Sequence, residues 1–536
     1  MSAGLFRRGA AAVGGWSPEE RDAVLYSASA LFAICTAQLS SIALYQQWGR
    51  LAVGPYAFGA LASAWAARRA RARLAVASAA PGGGARHGAE AAVREWHWSP
   101  SRMVIFLVVL LGATLMPLSL EVMWQADTGG TVHVQPEVVV VEHAGDRVAH
   151  GQDPYQLVDG SRHRLGVSKG EPAYDVYNPY LPLMTVFGVA HSTKAPPRLT
   201  DARVAFSVIT ILLVVVALAL CRGPTGPRVL TLQAMTVLPT AALPLATGGD
   251  DVPVAAVMLL GLVLLQRRRP VGAGVALGVA ASMKITAWPL AAIALLAARD
   301  RQGRRGRRPA LLVLAGMAGV MLPVILPTAL ANVPAFVDNV VRFPLGLAGL
   351  SSPAASPLLG HLVVSAFPGI HRLFTVVVAA VGCVVLGFVL VRRTPRTPAD
   401  VARLLGWVMT GAILLAPATR IGYLMYPLDF FVWAWLLRGE ERVAPAFDDA
   451  DLELAMAGTW SSGPEDEDRG RRVGVGGPLA SVGASRAAPA AAAPLPRRSR
   501  AQVVSEMAKS RRVNGVDWLE PLPNAVGDTV APSSQK

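Results

Sequence analysis

Charged residues are scarce in this chain of 536 residues, since only 16% are Asp, Glu, Lys or Arg. A soluble domain carries about 25%. Hydrophobic residues make up 53% of the sequence, and the mean hydropathy is +0.43. So few polar groups cannot cover a protein surface in water. The composition therefore excludes a soluble cytosolic enzyme and predicts a polytopic membrane protein.

Cysteine is also rare. The three cysteines, Cys35, Cys221 and Cys383, each lie in or at the end of an apolar segment. Their spacing matches neither a metal-binding motif nor a disulfide framework. Because no nucleotide-binding motif is present either, we expect a protein that works without a metal ion or another cofactor.

Long apolar runs account for most of the sequence. We interpret the runs as helices that cross a hydrocarbon core of about 30 Å. On this interpretation the sequence predicts an all-α fold with eleven to thirteen transmembrane helices. The runs are residues 24–44, 51–67, 103–124, 204–221, 229–246, 252–265, 271–298, 310–331, 373–391, 401–417 and 421–437.

Arginine clusters between these runs predict the orientation of the chain. The net charge of +15 is typical of positively charged cytoplasmic loops and does not require a nucleic-acid partner. Placing every cluster inside the cell predicts a plasma-membrane protein whose N-terminus and C-terminal tail are cytoplasmic. Residues 125–203, 248–251, 332–372 and 418–420 then lie outside.

Three domains are expected. Residues 1–100 form a helical hairpin with a basic cytoplasmic loop, and residues 101–440 form the main membrane domain. Residues 441–536 have too few large apolar residues for a core and are predicted to be a disordered cytoplasmic tail. Within the main domain, Lys284 and Pro289 interrupt the run 271–298, which we interpret as two half-helices that enter the membrane and return.

The outside loop, residues 125–203, is longer than a simple connection and is the first candidate for function. Its segment 135–155 contains four consecutive valines. Pro136 suits the first turn of a helix and Gly151 suits its end, but the valines suit a strand equally well.

The same segment carries polar residues for chemistry. Glu137 and Glu142 are candidates for a general base, which must lie within hydrogen-bond reach of the hydroxyl that it deprotonates. His143, Arg147 and Tyr155 are candidates for substrate binding. The alternative is a charged loop that only faces solvent.

Two further segments carry candidates for sugar binding. Tyr177 lies in an aromatic stretch with two prolines, which is either an aromatic belt at the membrane interface or one wall of a sugar site. Asp250 and Asp251 follow two glycines in a tight turn. Their carboxylates are candidates to bind sugar hydroxyls, a cation or an arginine. The alternative is a simple polar turn.

The remaining candidates are cations and one tyrosine. Lys284 lies within an apolar run, where a charge is costly, so it either binds a phosphate or forms an ion pair. Arg342, His361 and Arg420 lie outside, and guanidinium groups bind phosphate through two parallel hydrogen bonds. Their alternative role is pairing with carboxylates. Tyr423 follows Arg420 in the same segment and is included as a substrate contact.

In these features the chain resembles glycosyltransferase family 87, in particular its actinobacterial members. The most specific mark is an acidic residue and a short helix followed by Gly-x-Asp-Pro-Tyr, here Glu137 and residues 151–155. Supporting marks are residues 177–182, 248–251 and 274–284, and the resemblance covers roughly residues 103–440. It implies a GT-C fold in which the first outside loop of the core carries the catalytic acid. The family usually has Asp where this chain has Glu137, which leaves Glu142 as a second candidate.

The resemblance implies a membrane mannosyltransferase that uses a polyprenyl-phosphate-linked sugar donor. The first hypothesis is therefore transfer of a hexose to a lipid or glycan acceptor, with Lys284 and Arg420 converging on the donor phosphate. Transport of a lipid-linked saccharide is the second hypothesis, and a polymerase or ligase with a diphosphate leaving group is the third. We expect the protein to be surrounded by membrane lipid and to bind no nucleic acid.

Overall fold

A computed structural model of the chain shows an all-α protein, as the sequence predicts. The structure describes residues 16–79, 99–128, 132–156, 177–299, 307–344, 356–417 and 419–460. Within these ranges it contains no β-strand. The chain divides into two compact units, Met1–Ser461 and Ser462–Lys536. The second unit, with most of the predicted tail, lies outside the described residues.

The helices are numbered in chain order. Those of the first half are α1 Pro18–Leu39, α2 Ala43–Ala79, α3 Pro100–Leu110, α4 Met116–Thr128, α5 Pro136–Ala149, α6 Pro197–Thr200, α7 Ala202–Ala219, α8 Thr225–Thr236, α9 Pro239–Thr247 and α10 Asp251–Gln266. Those of the second half are α11 Pro270–Met283, α12 Trp288–Ala297, α13 Arg308–Ala331, α14 Val333–Phe336, α15 Leu359–Ala366, α16 His371–Arg392, α17 Pro398–Leu415 and α18 Met425–Trp460. Helix α18 thus continues past residue 440, where the main domain was expected to end.

Short non-α segments join several of these helices. A π-helical turn, Leu111–Leu115, connects α3 with α4, and a second one, Val337–Arg342, follows α14. The 3-10 segments are Pro182–Ser192, Ile285–Ala287, Pro368–Ile370 and Ile421–Leu424.

Seven segments in the described residues are long and apolar enough to cross a membrane. They are Pro18–Leu39, Pro100–Thr128, Ala202–Ala219, Thr225–Thr247, Arg308–Ala331, Pro368–Arg392 and Pro398–Leu415. The multi-pass membrane fold is confirmed, but this number is smaller than the eleven to thirteen expected. Helices α10 and α11 and residues 285–297 are apolar yet short. The run 51–67 lies in α2, and the run 421–437 covers the 3-10 segment Ile421–Leu424 and the first part of α18. Both helices also carry charged residues.

The N-terminal hairpin, formed by α1 and α2, is bonded to the following helices. Arg102 at the start of α3 donates from Nε and Nη2 to the carboxylate of Asp22 on α1, at 2.7 and 3.0 Å. On α2, Trp48 Nε1 donates to the Ala113 carbonyl at 3.0 Å, and Tyr56 Oη donates to the Val237 carbonyl at 2.6 Å. These buried bonds attach the hairpin to the main membrane domain.

The apolar run 271–298 is broken at Lys284, as its sequence predicts. Helix α11 ends at Met283, and Lys284 has an extended backbone with φ −150° and ψ 139°. A 3-10 turn follows, and α12 begins at Trp288 with Pro289 in its first turn. The interruption leaves the Lys284 side chain between two helices. That these helices enter the membrane and return stays a prediction.

Helix α5 lies directly on the 3-10 segment Pro182–Ser192. Gly145 of α5 faces Gly188 of that segment, and a Cβ atom on either glycine would overlap the backbone of the other segment. Only glycine allows two backbones to approach so closely. This contact fixes the position of α5 against the 3-10 segment.

Packing is uneven across the bundle. Helix α10 is buried at its first nine positions, residues 251–259, and forms part of the largest apolar cluster. Helix α16 lies at the other extreme, because none of its residues is buried. Its exposed valines, leucine and phenylalanine are suited to contact with lipid chains.

Candidate active site

Glu137 and Arg420 form an ion pair between the start of α5 and the segment that leads into α18. Glu137 lies in the first turn of α5, directly after Pro136, and Arg420 precedes the 3-10 segment Ile421–Leu424. Arg420 Nη1 donates to Glu137 Oε1. Glu137 Oε2 is buried and has no hydrogen-bond partner among the described residues. One oxygen of this carboxylate is therefore held, while the other is left without a donor.

Lys284 lies between the two aspartates of the Gly-Gly-Asp-Asp turn. Its Nζ is 2.8 Å from Asp250 Oδ2 and 2.6 Å from Asp251 Oδ1. Helix α9 ends at Thr247 and is followed by Gly248, whose φ of +104° is accessible to glycine at little cost. The turn then directs both carboxylates to the same ammonium. Of the two roles expected for Lys284, the described contacts show the ion pair.

Tyrosines surround these ion pairs. Tyr426 Oη donates to Asp251 Oδ1 at 2.5 Å. The rings of Tyr180 and Tyr423 have their centroids 5.4 and 6.0 Å from Lys284 Nζ. These aromatic faces, next to carboxylates and hydroxyls, are suited to sugar binding.

The two ion pairs belong to one cluster. Asp250 is within electrostatic range of Glu137, and Tyr423 is within range of Lys284, Arg420 and Glu137 alike. The cluster thus unites residues that the sequence places in the loop, the Gly-Gly-Asp-Asp turn, the helix break and the last outside segment. Its members carry three carboxylates and two cations, which makes it a polar site within an otherwise apolar bundle.

Glu142, the second candidate base, has different surroundings. Its Oε1 accepts the Ala202 backbone N–H at 2.9 Å, and its Oε2 is 3.7 Å from His191 Nδ1. Burial, together with the nearby charge of Asp201, raises the pKa of Glu142 to about 7. Five residues along a helix correspond to a rotation of about 140°, so Glu137 and Glu142 lie on different faces of α5. Glu142 joins α5 to the start of α7.

Three other loop candidates have structural contacts. Arg147 Nε donates to the Asp153 carbonyl at 2.7 Å and closes the turn after α5. Tyr155 is buried and donates to the Tyr180 carbonyl at 2.8 Å, behind the tyrosine that faces Lys284. His143 is half-buried on α5.

Tyr177, Arg342 and His361 make contacts to residues outside the cluster. Tyr177 is buried and stacks on Phe343 with ring centroids 4.5 Å apart, so it is not an exposed residue of an aromatic belt. Arg342 is 59% exposed and lies 3.7 Å from Asp338. His361 Nδ1 is 3.1 Å from the Pro417 carbonyl.

A comparison with known families identifies the region that holds much of this site. Residues 179–417 match the model of glycosyltransferase family 87. The matched region belongs to glycosyltransferase family 87. No curated protein and no solved structure matches the chain. The protein is therefore a multi-pass membrane glycosyltransferase, and this family implies a lipid-linked donor and an acceptor.

The family 87 region contains Asp250, Asp251 and Lys284, whereas Glu137 and Arg420 lie on either side of it. The match is shorter than the resemblance read from the sequence, which began near residue 103. The ion pair between Glu137 and Arg420 joins the segments that precede and follow the family 87 region.

Sequence reasoning missed several residues of the site. Tyr180 and Tyr426 lie within segments singled out for their neighbours, and Tyr426 follows Tyr423 by three positions, one helical turn. Gln135 directly precedes Pro136, the first residue of α5, and this is the position of the N-cap residue. Tyr45 lies in the N-terminal hairpin, and nothing local to its sequence indicates a role in the site.

Proposed function

We propose that this protein transfers a hexose from a polyprenyl-phosphate donor to an acceptor hydroxyl outside the plasma membrane, with inversion at the anomeric carbon. Mannose is the sugar that the resemblance favours, and the acceptor is a lipid or a glycan. The observation that carries the proposal is the asymmetry of Glu137. Its Oε1 is held by Arg420, while its buried Oε2 has no partner among the described residues. A buried acceptor without a donor is costly, so an incoming hydroxyl would satisfy it.

The proposed step moves one proton and exchanges one bond. The acceptor hydroxyl gives its proton to Glu137 Oε2, and its oxygen attacks the anomeric carbon of the donor. The bond from that carbon to the phosphate oxygen breaks, and the electron pair leaves with polyprenyl phosphate. Arg420 is suited to bind the phosphate, because a guanidinium matches two of its oxygens. When it does so, it releases Glu137 Oε1.

Glu137 is a better candidate for the base than Glu142. Glu142 already accepts a backbone N–H at the start of α7, so its role there is to hold two helices together. Glu137 instead shares the cluster with the aspartates and tyrosines. A general base must lie where the substrate lies, which supports Glu137.

For the sugar itself we propose Asp250 and Asp251 as ligands of its hydroxyls, next to the rings of Tyr180 and Tyr423. Lys284 then holds the two carboxylates in place. Together, Lys284 and both aspartates carry a formal charge of −1, which does not favour a phosphate at Lys284. We therefore assign the phosphate to Arg420 alone and modify the expectation that both cations bind it.

The first experiment compares two variants of the same helix. Full-length protein in lipid nanodiscs is given a polyprenyl-phosphate donor with a radiolabelled hexose, and sugar transfer to an added acceptor is measured. Glu137→Gln should reduce transfer by about 100-fold or more, the range for loss of a general base. Glu142→Gln is the matched control and should keep most of the activity at neutral pH. Loss of activity in Glu142→Gln with retention in Glu137→Gln would reverse the assignment.

The second experiment separates the rival functions. Nanodiscs have no enclosed compartment, so sugar transfer in them excludes a protein that only transports its substrate. Synthetic donors with one or two phosphates then compete for the wild-type protein. Stronger competition by the monophosphate supports the proposed leaving group. Stronger competition by the diphosphate would favour a polymerase or ligase instead.

A further inference from the structure

The N-terminal hairpin provides a side chain to the candidate active site, although it precedes the family 87 region. Gln135 Nε2 donates to Tyr45 Oη at 2.9 Å and to Thr247 Oγ1 at 2.7 Å. Tyr45 belongs to α2, and Thr247 is the last residue of α9, directly before the Gly-Gly-Asp-Asp turn. One amide therefore joins the hairpin, this turn and the segment that leads into α5.

Gln135 also determines where α5 begins. It has an extended backbone and is the N-cap residue, and its carbonyl accepts the Val138 N–H at 3.1 Å. Its own N–H donates to the Thr247 carbonyl at 3.2 Å. Only Pro136 separates Gln135 from Glu137. A shift of the Gln135 side chain would consequently move the first turn of α5, which carries the proposed base.

Tyr45 lies close enough to the cluster to interact electrostatically with its charged residues. It is half-buried and lies within electrostatic range of Glu137, Arg420 and Tyr423. The amide of Gln135 must be the donor in their hydrogen bond, because Nε2 has no acceptor capacity. The Tyr45 hydroxyl therefore accepts this hydrogen bond. Through Gln135 it is connected to the start of α5.

We infer that Tyr45 is a positioning residue for Glu137 and that the N-terminal hairpin is part of the catalytic site. The inference rests on the proposed role of Glu137 as the base. Tyr45 holds the Gln135 amide between the hairpin and Thr247, and this arrangement fixes the first turn of α5. A misplacement of the base by about 1 Å is enough to slow a reaction by up to about 100-fold.

The test compares two tyrosines of the same helix. Tyr45→Phe removes the hydroxyl that faces Gln135. Tyr56→Phe is the matched control, since it removes a hydroxyl that holds α2 to the Val237 carbonyl. Tyr45→Phe should lower kcat by about tenfold and change the donor KM by less than about twofold. Tyr56→Phe should lower thermal stability but keep kcat.

A double-mutant cycle shows whether Tyr45 acts through Gln135. Gln135→Ala breaks the same contact from the other side and should also lower kcat. In its background, Tyr45→Phe should have little further effect, because coupled residues are not additive. Full additivity of the two substitutions would show that Tyr45 acts by another route and would overturn the inference. If Tyr45→Phe folds poorly, Gln135→Ala still tests whether loss of the contact between these two side chains lowers kcat.

Hydrogen exchange provides a readout that needs no activity. Backbone amides of residues 138–142 should exchange faster in Tyr45→Phe than in wild type and in Tyr56→Phe. If wild type transfers no sugar, the proposed function fails, and exchange still decides the role of Tyr45. If Tyr45→Phe and Tyr56→Phe match in both kcat and exchange, the inference is wrong even when the transferase activity is established.

Discussion

Glu137 and Arg420 are 283 positions apart in the sequence and form one ion pair. The pair brings the start of α5 against the segment between α17 and α18. A donor phosphate would compete with Glu137 for the same guanidinium. Arg420 is thereby both the partner of the proposed base and the proposed ligand of the leaving group.

Replacement of Arg420 should affect the donor more than the acceptor. Arg420→Ala should raise the donor KM by about 10- to 100-fold, the usual effect of losing hydrogen bonds to a charged group. The acceptor KM should change much less. Arg198→Ala is the control, because Arg198 is an exposed arginine whose ion pair is with Asp127, which is not a member of the cluster. Equal increases for donor and acceptor would contradict a phosphate contact.

Replacement of Lys284 should affect folding more than donor binding. Lys284→Met leaves Asp250 and Asp251 facing each other without a cation, and breaking such a buried pair costs about 3–5 kcal/mol. A lower yield of folded protein and a lower thermal-unfolding midpoint are therefore expected. Adding Asp250→Asn should recover part of the loss. A normal unfolding midpoint with a raised donor KM would instead support a phosphate contact.

Glu142 predicts a pH dependence of stability. Its pKa is raised from 4.5 to about 7 by burial and by Asp201, with His191 and Arg203 also close to it. The folded protein therefore binds this proton more tightly than the unfolded chain, and the resulting stabilisation is complete below pH 4.5. It is lost as pH rises to about 7, by roughly 3 kcal/mol at most. Unfolding midpoints of wild type and Glu142→Gln should diverge across this range, and parallel curves would contradict the prediction.

The contact between Gly145 and Gly188 predicts a position that tolerates no side chain. Gly145→Ala should force α5 away from the 3-10 segment Pro182–Ser192 and cost about 1–3 kcal/mol or more. Transfer activity should fall as well, because α5 carries Glu137. Gly382→Ala is the control, since a Cβ atom there has nothing within 4 Å. Thermal unfolding and sugar transfer measure both effects, and equal behaviour of the two variants would refute the packing argument.

Local signals predicted the parts of the fold that depend on local chemistry. Pro136 and Gly151 indicated the limits of α5, although four valines left a strand possible. Lys284 and Pro289 indicated the break between α11 and α12. An ion pair was one of the two roles expected for Lys284, and binding a cation was one of several roles considered for Asp250 and Asp251. In each case the deciding residues lie close together in the sequence or carry a charge that must be paired within the membrane.

Contacts between distant segments were not accessible in this way. Arg420 was recognised as an unusual outside cation, but its pairing with Glu137 depends on how the bundle closes. Tyr45 carries no local sign of its role, since a tyrosine near the end of an apolar segment is common at membrane interfaces. Seven of the expected spans correspond to long apolar helices of the described residues, and the shorter apolar helices α10 and α11 and residues 285–297 correspond to further apolar runs of the sequence.

Helix α16 has no buried residue and is therefore suited to lie at the lipid-facing edge of the bundle. Its 22 residues extend over about 33 Å, close to the hydrocarbon thickness of a bilayer. With so few side chains against it, lipid acts as its solvent on nearly every side. Because packing restrains α16 so little, its tilt should depend on hydrophobic matching to the bilayer and on its terminal residues His371 and Arg392.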